Sequence, residues 1–134
     1  ASVLCWGDNS FGQLGYSGQS SSSSSFPFTV SNLNLATKVA VGGNHACALA
    51  DSDVYCWGSN GRGQLGDGTI GGFRSDAERV SGLPAMLPVD ILAGENHSCV
   101  VFMDGSARCW GANDQGQLGT GGTMDSAVPV PVLR

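Results

Sequence analysis

One pattern written three times constrains this chain more than any other feature of it. The first copy is Cys5-Trp6-Gly7-Asp8-Asn9-Ser10-Phe11-Gly12-Gln13-Leu14, closed by Gly15. The second runs from Cys56-Trp57-Gly58 through Asn60 to Gly63-Gln64-Leu65-Gly66, and the third from Cys109-Trp110-Gly111 through Asn113 to Gly116-Gln117-Leu118-Gly119. A second block keeps the same period: Val39-Ala40-Val41-Gly42-Gly43-Asn44-His45-Ala46-Cys47 matches Ile91-Leu92-Ala93-Gly94-Glu95-Asn96-His97-Ser98-Cys99. Fixed blocks joined by segments of drifting length are the mark of a repeated structural unit with loops on one face. The units run over about residues 1–52, 53–105 and 106–134, the last incomplete.

Each unit reads as short strands. Lys38 to Val41 and Asp90 to Ala93 are apolar runs too short for helices. Thr29-Val30, Arg79-Val80 and Val130-Pro131-Val132 are extended pieces expected to start a sheet. Ala46 to Ala50 turns into Asp53 to Trp57, and Ser98 to Phe102 turns into Ser106 to Trp110, as hairpins. With 21 Gly among 134 residues and only 13 % charged residues, a helical bundle is excluded and a turn-rich all-β chain is expected. About four strands in some fifty residues make a propeller blade, which is stabilised by stacking on its neighbours. The expected fold is all-β: a partial β-propeller of about two and a half four-stranded blades.

The motif has physical reasons of its own. Gly12, Gly63 and Gly116 stand where the chain must reverse, and positive φ costs Gly nothing sterically. Asn9, Asn60 and Asn113 can hold the same turn through side-chain bonds to backbone. Leu14, Leu65 and Leu118 supply apolar bulk between blades. Trp6, Trp57 and Trp110 are expected to bury a large ring whose N–H needs a partner. The pattern Trp-Gly-x-Asn-x-x-Gly-Gln-Leu-Gly with an apolar-Gly-x-x-His block resembles the repeat of the regulator of chromosome condensation (RCC1) family, over essentially the whole chain. The resemblance implies a propeller, commonly of seven four-stranded blades. Roles in that family range from nucleotide exchange on a small GTPase to chromatin binding and ubiquitin-ligase accessory domains, so fold carries over better than activity.

Cysteine positions act as a ruler for the hairpins. A two-residue loop at Asp51-Ser52 sets Ala50 opposite Asp53, Leu49 opposite Val54 and Cys47 opposite Cys56. That pair is a non-hydrogen-bonded one, where Cα atoms come within about 4.5 Å. The second hairpin, one residue longer at Met103-Asp104-Gly105, places Phe102 opposite Ser106 and Cys99 opposite Cys109, with Gly105 as its left-handed residue. Cross-strand disulfides in an oxidising compartment, secreted, periplasmic or lumenal, fit this register. Reduced, small core residues of a cytosolic protein are the alternative. By the same ruler the partner of Cys5 falls nine or ten positions earlier, before Ala1. The chain is therefore expected to be a piece of a longer propeller, and such a piece should be unstable or self-associate to complete a ring.

Other chemistry is weaker. His45 and Cys47 share a strand face, as do His97 and Cys99. With Cys56 or Cys109 they offer soft ligands, but facing cysteines bond more readily to each other than to zinc. His45 and His97 are expected to tie neighbouring strands by hydrogen bonds. No phosphate-binding Gly-Lys-Ser/Thr loop occurs, and Asp51, Asp53 and Asp104 fall at turns. No cofactor, metal or catalytic constellation is expected. Asn96-His97-Ser98 matches a glycosylation sequon inside a block expected to be buried. A net charge of −5 argues against nucleic acid as partner, and no apolar stretch is long enough for a membrane span. The segments Tyr16 to Phe28, Asp67 to Glu78 and Thr120 to Ala127 vary between units and read as loops forming a binding face, with Ser20 to Ser25 as flexible filler. The function expected is a non-enzymatic scaffold for a protein partner, with nucleotide exchange on a small GTPase as runner-up.

Overall fold

A computed structural model describes residues 1–18 and 21–134; Gln19 and Ser20, the latter opening the serine run, lie outside the described residues. Among the described residues there is no helix, and hence none long and apolar enough to cross a membrane. The strands are β1 (Leu4–Asp8), β2 (Ser23–Thr29), β3 (Ala36–Val41), β4 (His45–Ala50), β5 (Asp53–Ser59), β6 (Phe73–Arg79), β7 (Pro88–Ala93), β8 (His97–Phe102), β9 (Ala107–Gly111) and β10 (Ser126–Pro131). They form three antiparallel sheets: β1-β2, β3-β4-β5-β6 and β7-β8-β9-β10. These are a half-blade and two full blades of a β-propeller, here called the first, second and third blade. Strands β3 and β7 lie against each other, joined by Lys38–Asp90 at 3.5 Å, and so form the inner edge of their blades.

Both hairpins have the expected register. Ala50 pairs Asp53, Leu49 pairs Val54 and Cys47 pairs Cys56; in the third blade Cys99 pairs Cys109. The first turn sets Asp51 (φ 51°) and Ser52 (φ 63°) both left-handed, which gives the backbone twist a two-residue hairpin requires. The longer turn closes with Gly105 N–H donating to the Phe102 carbonyl at 2.9 Å, and Gly105 takes φ 85°. The facing pairs are bonded as Cys47–Cys56 and Cys99–Cys109, with Cα separations of 4.0 and 4.1 Å, and Cys5 is a free thiol.

The core lies between blades. Strand β4 is buried on both faces: Ala46, Ala48 and Ala50 turn to the first blade, packing with Val30, Leu33, Trp57 and Ala77. Cys47 and Leu49 turn to the third, packing with Val54, Leu65, Val80, Ile91, Val100, Phe102 and Trp110. The face turned to the first blade is thus built of small residues and the face turned to the third of larger ones. Burying each large apolar side chain contributes roughly 1.5–3 kcal/mol.

Three sequence expectations need correction. Thr29-Val30, Arg79-Val80 and Val130-Pro131-Val132 do not start sheets; they fall at the ends of β2, β6 and β10, the last and outermost strand of each blade. The segments read as loops are part strand, about half of the first two and only Ser126 and Ala127 of the third, since β2, β6 and β10 begin at Ser23, Phe73 and Ser126, and Ser23 to Ser25 belong to β2. Trp6 is not buried: the residue is 65 % exposed, against 0 % for Trp57 and Trp110. The reason is structural. Each buried ring packs on the Gln-Leu-Gly of the blade before it, and within this sequence no such block precedes Trp6.

Candidate interaction surface

The chain alternates direction through each blade, so the β3–β4 and β7–β8 turns share one end of the sheets with the connections 9–22, 60–72 and 112–125. This end is the loop face. Each of its three long connections is rooted by the motif asparagine. Asn60 accepts the Leu65 N–H at 3.2 Å and donates to the Thr69 carbonyl and hydroxyl, both at 3.0 Å. Asn113 accepts the Leu118 N–H at 3.0 Å and donates to the Met124 carbonyl at 2.8 Å. Asn9 accepts the Leu14 N–H at 3.1 Å and donates to the Ser21 carbonyl at 3.0 Å. Asn60 and Asn113 are buried, and a buried amide with its groups satisfied fixes a loop root firmly.

The motif glutamine clamps the same turn. The Oε1 atoms of Gln13, Gln64 and Gln117 accept the N–H of Phe11, Arg62 and Gln115, each at 2.8 Å. Gly12, Gly63 and Gly116 take φ values of 72°, 83° and 73°, as the turn requires. The reason for the glycine after each Trp was not read from the sequence. A Cβ on Gly58 or Gly111 would lie 2.5 Å from the carbonyl oxygen of Asn44 or Asn96. That close approach lets Ser59 and Ala112 donate to those carbonyls at 2.8 and 2.9 Å.

Leu14, Leu65 and Leu118 are buried beneath the roots. Beyond Gly15, Gly66 and Gly119 the loops differ. Tyr16 stacks on Phe28 with ring centroids 5.1 Å apart. Ile70, Phe73 and Met124 are exposed, Met124 to 84 %. Arg62 reaches to the third blade, donating to Asp125 at 2.8 Å and Asp114 at 3.3 Å. The Arg62 hydrogen bond is the main cause holding the Asp125 carboxyl below its ordinary range; for Asp114 the Gln117 side chain is the larger cause. Such exposed pairs set loop orientation more than stability.

The histidines lie under this face. His45 is 1 % exposed and its Nε2 meets the Ser98 hydroxyl at 2.8 Å, tying the second blade to the third. The Ser98 hydroxyl donates to the Gln64 carbonyl at 2.9 Å, which also receives Trp110 Nε1–H at 2.9 Å. Burial pushes His45 down to about 4, and burial also lowers His97, which is half-buried. In the sequon Ser98 is fully buried and Asn96 half-buried, its Oδ1 receiving the Gln64 side chain at 3.5 Å. Among the described residues no three His, Cys, Asp or Glu side chains converge as a metal site.

Comparison with known proteins places this geometry. The sequence model of a family described as "Regulator of chromosome condensation (RCC1) repeat" matches residues 1–49, 51–101 and 104–133. The chain is 32 % identical over 129 residues to the ultraviolet-B receptor UVR8 of Arabidopsis thaliana, covering 95 % of this chain and 29 % of that protein. It is 36 % identical over 123 residues to the probable E3 ubiquitin-protein ligase HERC6 of Homo sapiens, covering 90 % of this chain and 12 % of that one. Yeast RCC1 (Prp20), solved bound to Kap60, superposes with a TM-score of 0.86 at 22 % identity over 99 % of this chain and 33 % of its own. The chain thus spans a third or less of each of these three proteins.

Proposed function

This chain belongs to the family of RCC1 repeats, and from that premise we propose that it is a non-enzymatic scaffold that holds a protein partner on its loop face. The observation that carries the reading is the contrast within each loop: a root fixed by Asn and Gln, and a tip of different length and content. Rigid roots lower the ordering cost of binding, while exposed apolar tips such as Ile70 and Met124 supply desolvated contact area. The yeast relative is solved with a protein bound, which supports a protein as the class of partner. The net charge of −5 favours a partner that is not a phosphate backbone. The two disulfides support an oxidising compartment as its location.

The test is affinity capture from the native source with the parent chain and with the double variant Ile70→Asp, Met124→Asp. Both side chains are exposed, so the fold should hold while the captured partner is lost. Undiminished capture by the double variant refutes the loop-tip reading. Accelerated release of labelled nucleotide from a small GTPase would instead establish exchange activity.

A further inference from the structure

One connection departs from the repeat, on the end of the sheets opposite the loop face. In the first unit Val30 and Ala36, which opens β3, are six positions apart; in the second Val80 and Pro88, which opens β7, are eight apart. Leu33 and Leu35 enclose the single polar residue Asn34, whereas Leu83 and Leu87 enclose Pro84-Ala85-Met86. Residues that recur from unit to unit hold the fold together. A connection lengthened once, and made apolar, is where a binding feature is expected.

The lengthened connection walls a cleft of about 820 Å³ between the second and third blades, both complete four-stranded sheets. That size lies within the range of ligand clefts, roughly 300–1,000 Å³. Buried Val80 and Phe102 and half-buried Leu83 line it, and Met86 and Leu87 stand exposed in its wall. Its charged lining residues among those described are Asp53 and Arg79, which pair with each other through Asp53 Oδ2 and Arg79 Nε. Asp53 is itself fixed, its Oδ1 accepting the Val54 N–H at 2.9 Å. The guanidinium is thus held by its Nε side, and its Nη groups make no hydrogen bond among the described residues.

We infer that this cleft takes the C-terminal tail of a partner polypeptide ending in an apolar residue, its free carboxylate on the Arg79 guanidinium. Charge complementarity selects the end group, because the two Nη groups of a guanidinium match the two oxygens of a carboxylate. A terminal residue carries carboxylate and side chain on one Cα, which suits a guanidinium beside apolar Val80 and Leu83. An Asp or Glu within a chain would have to borrow its apolar group from a neighbour. Capture of a C-terminal carboxylate is a recurring mode of peptide recognition. The cleft lies on the end of the blades away from the loop face, so it stands or falls independently of binding there.

The experiment is an amide-resolved NMR titration of the chain with acetyl-Gly-Gly-Leu-Leu, as free acid and as C-terminal amide. Concentrations from ~10 μM to ~3 mM suit a short ligand held by few contacts. The acid should saturate, with shifts centred on residues 51–53, 80–88 and Phe102. The amide should bind about tenfold more weakly, the loss expected when a hydrogen bond to a charged group is removed. Arg79→Gln alters an exposed side chain and should hold acid and amide alike, at the parent's affinity for the amide. Met86→Asp, also at an exposed position, should weaken the acid about tenfold by setting a negative charge in the apolar wall. The spectra themselves show that each variant is folded. No saturation by the acid, shifts centred elsewhere, equal affinity of the parent for acid and amide, or an Arg79→Gln chain that still prefers the acid each overturns the inference. Octanoate binding in the cleft, with none by the peptide, assigns it to a free acyl acid and overturns the inference as well.

Discussion

At the scale of residues, the Trp-to-carbonyl bond separates two otherwise equivalent positions. The Gln64 carbonyl has a second donor in Ser98, whereas Ala46 stands at the corresponding sequence position for Gln13, whose carbonyl receives Trp57 alone among the described side chains. Replacing either ring by Phe removes similar apolar volume. Trp57→Phe also strips from a carbonyl its one side-chain donor among the described residues, so it should cost about 1 kcal/mol more than Trp110→Phe in urea unfolding. His45 gives a pH dependence. Its pKa falls from 6.5 to about 4 on folding, so the unfolded chain binds the extra proton between those values. Stability from this group is whole above pH 6.5 and drains as pH falls towards 4, by about 3 kcal/mol from a shift of this size. His97 adds in the same direction. His45→Gln should flatten the urea midpoint against pH across that window; a slope equal to the parent's would contradict the assignment. The Ser98 contact was not legible in sequence, because the matching residue of the preceding unit is Ala46, and an interaction made once leaves no periodic trace.

At the scale of elements, the hairpins were legible and the outer strands were not. Hairpin register follows from loop length and pairing geometry, so two cysteine pairs whose separations differ by one residue predicted their own pairing. The strands β2, β6 and β10 pair on one side only and expose much of their length. Backbone bonds can hold Ser-Ser-Ser-Phe-Pro-Phe-Thr as an outer strand without the apolar alternation that marks a buried one. Their starts therefore looked like loop. The first hairpin turn holds two non-glycine residues at positive φ. Asp51→Asn with Ser52→Gly should relieve that and raise stability by about 1 kcal/mol, read as a shift in thermal midpoint. Alkylation of the unreduced, denatured chain should label one thiol, Cys5. Reduction should cost about 2.5–3 kcal/mol for each hairpin opened.

At the scale of the molecule, stability resides in joints rather than in sheets. Deleting residues 1–31 should uncover Trp57 and the alanine face of β4 while leaving the joint around Trp110 intact. Hydrogen exchange should then accelerate in β4 and β5 far more than in β8 and β9; equal acceleration in all four would mean that the array melts as one body. The repeat and the propeller were legible because each joint reuses the same residues. Exposure of Trp6 was not, since burial of that ring depends on a neighbour outside its own unit.

The sheets and the sequence units are out of step: residues 53–105 hold the outer strands β5 and β6 of one blade and the inner strands β7 and β8 of the next. Peptide links therefore cross every joint, like brickwork laid with staggered courses. A gene that gains or loses one whole copy lengthens or shortens the wall without ever producing a free-standing brick. Evolution can thus alter the number of sectors by duplication while each newcomer arrives already mortared to both sides.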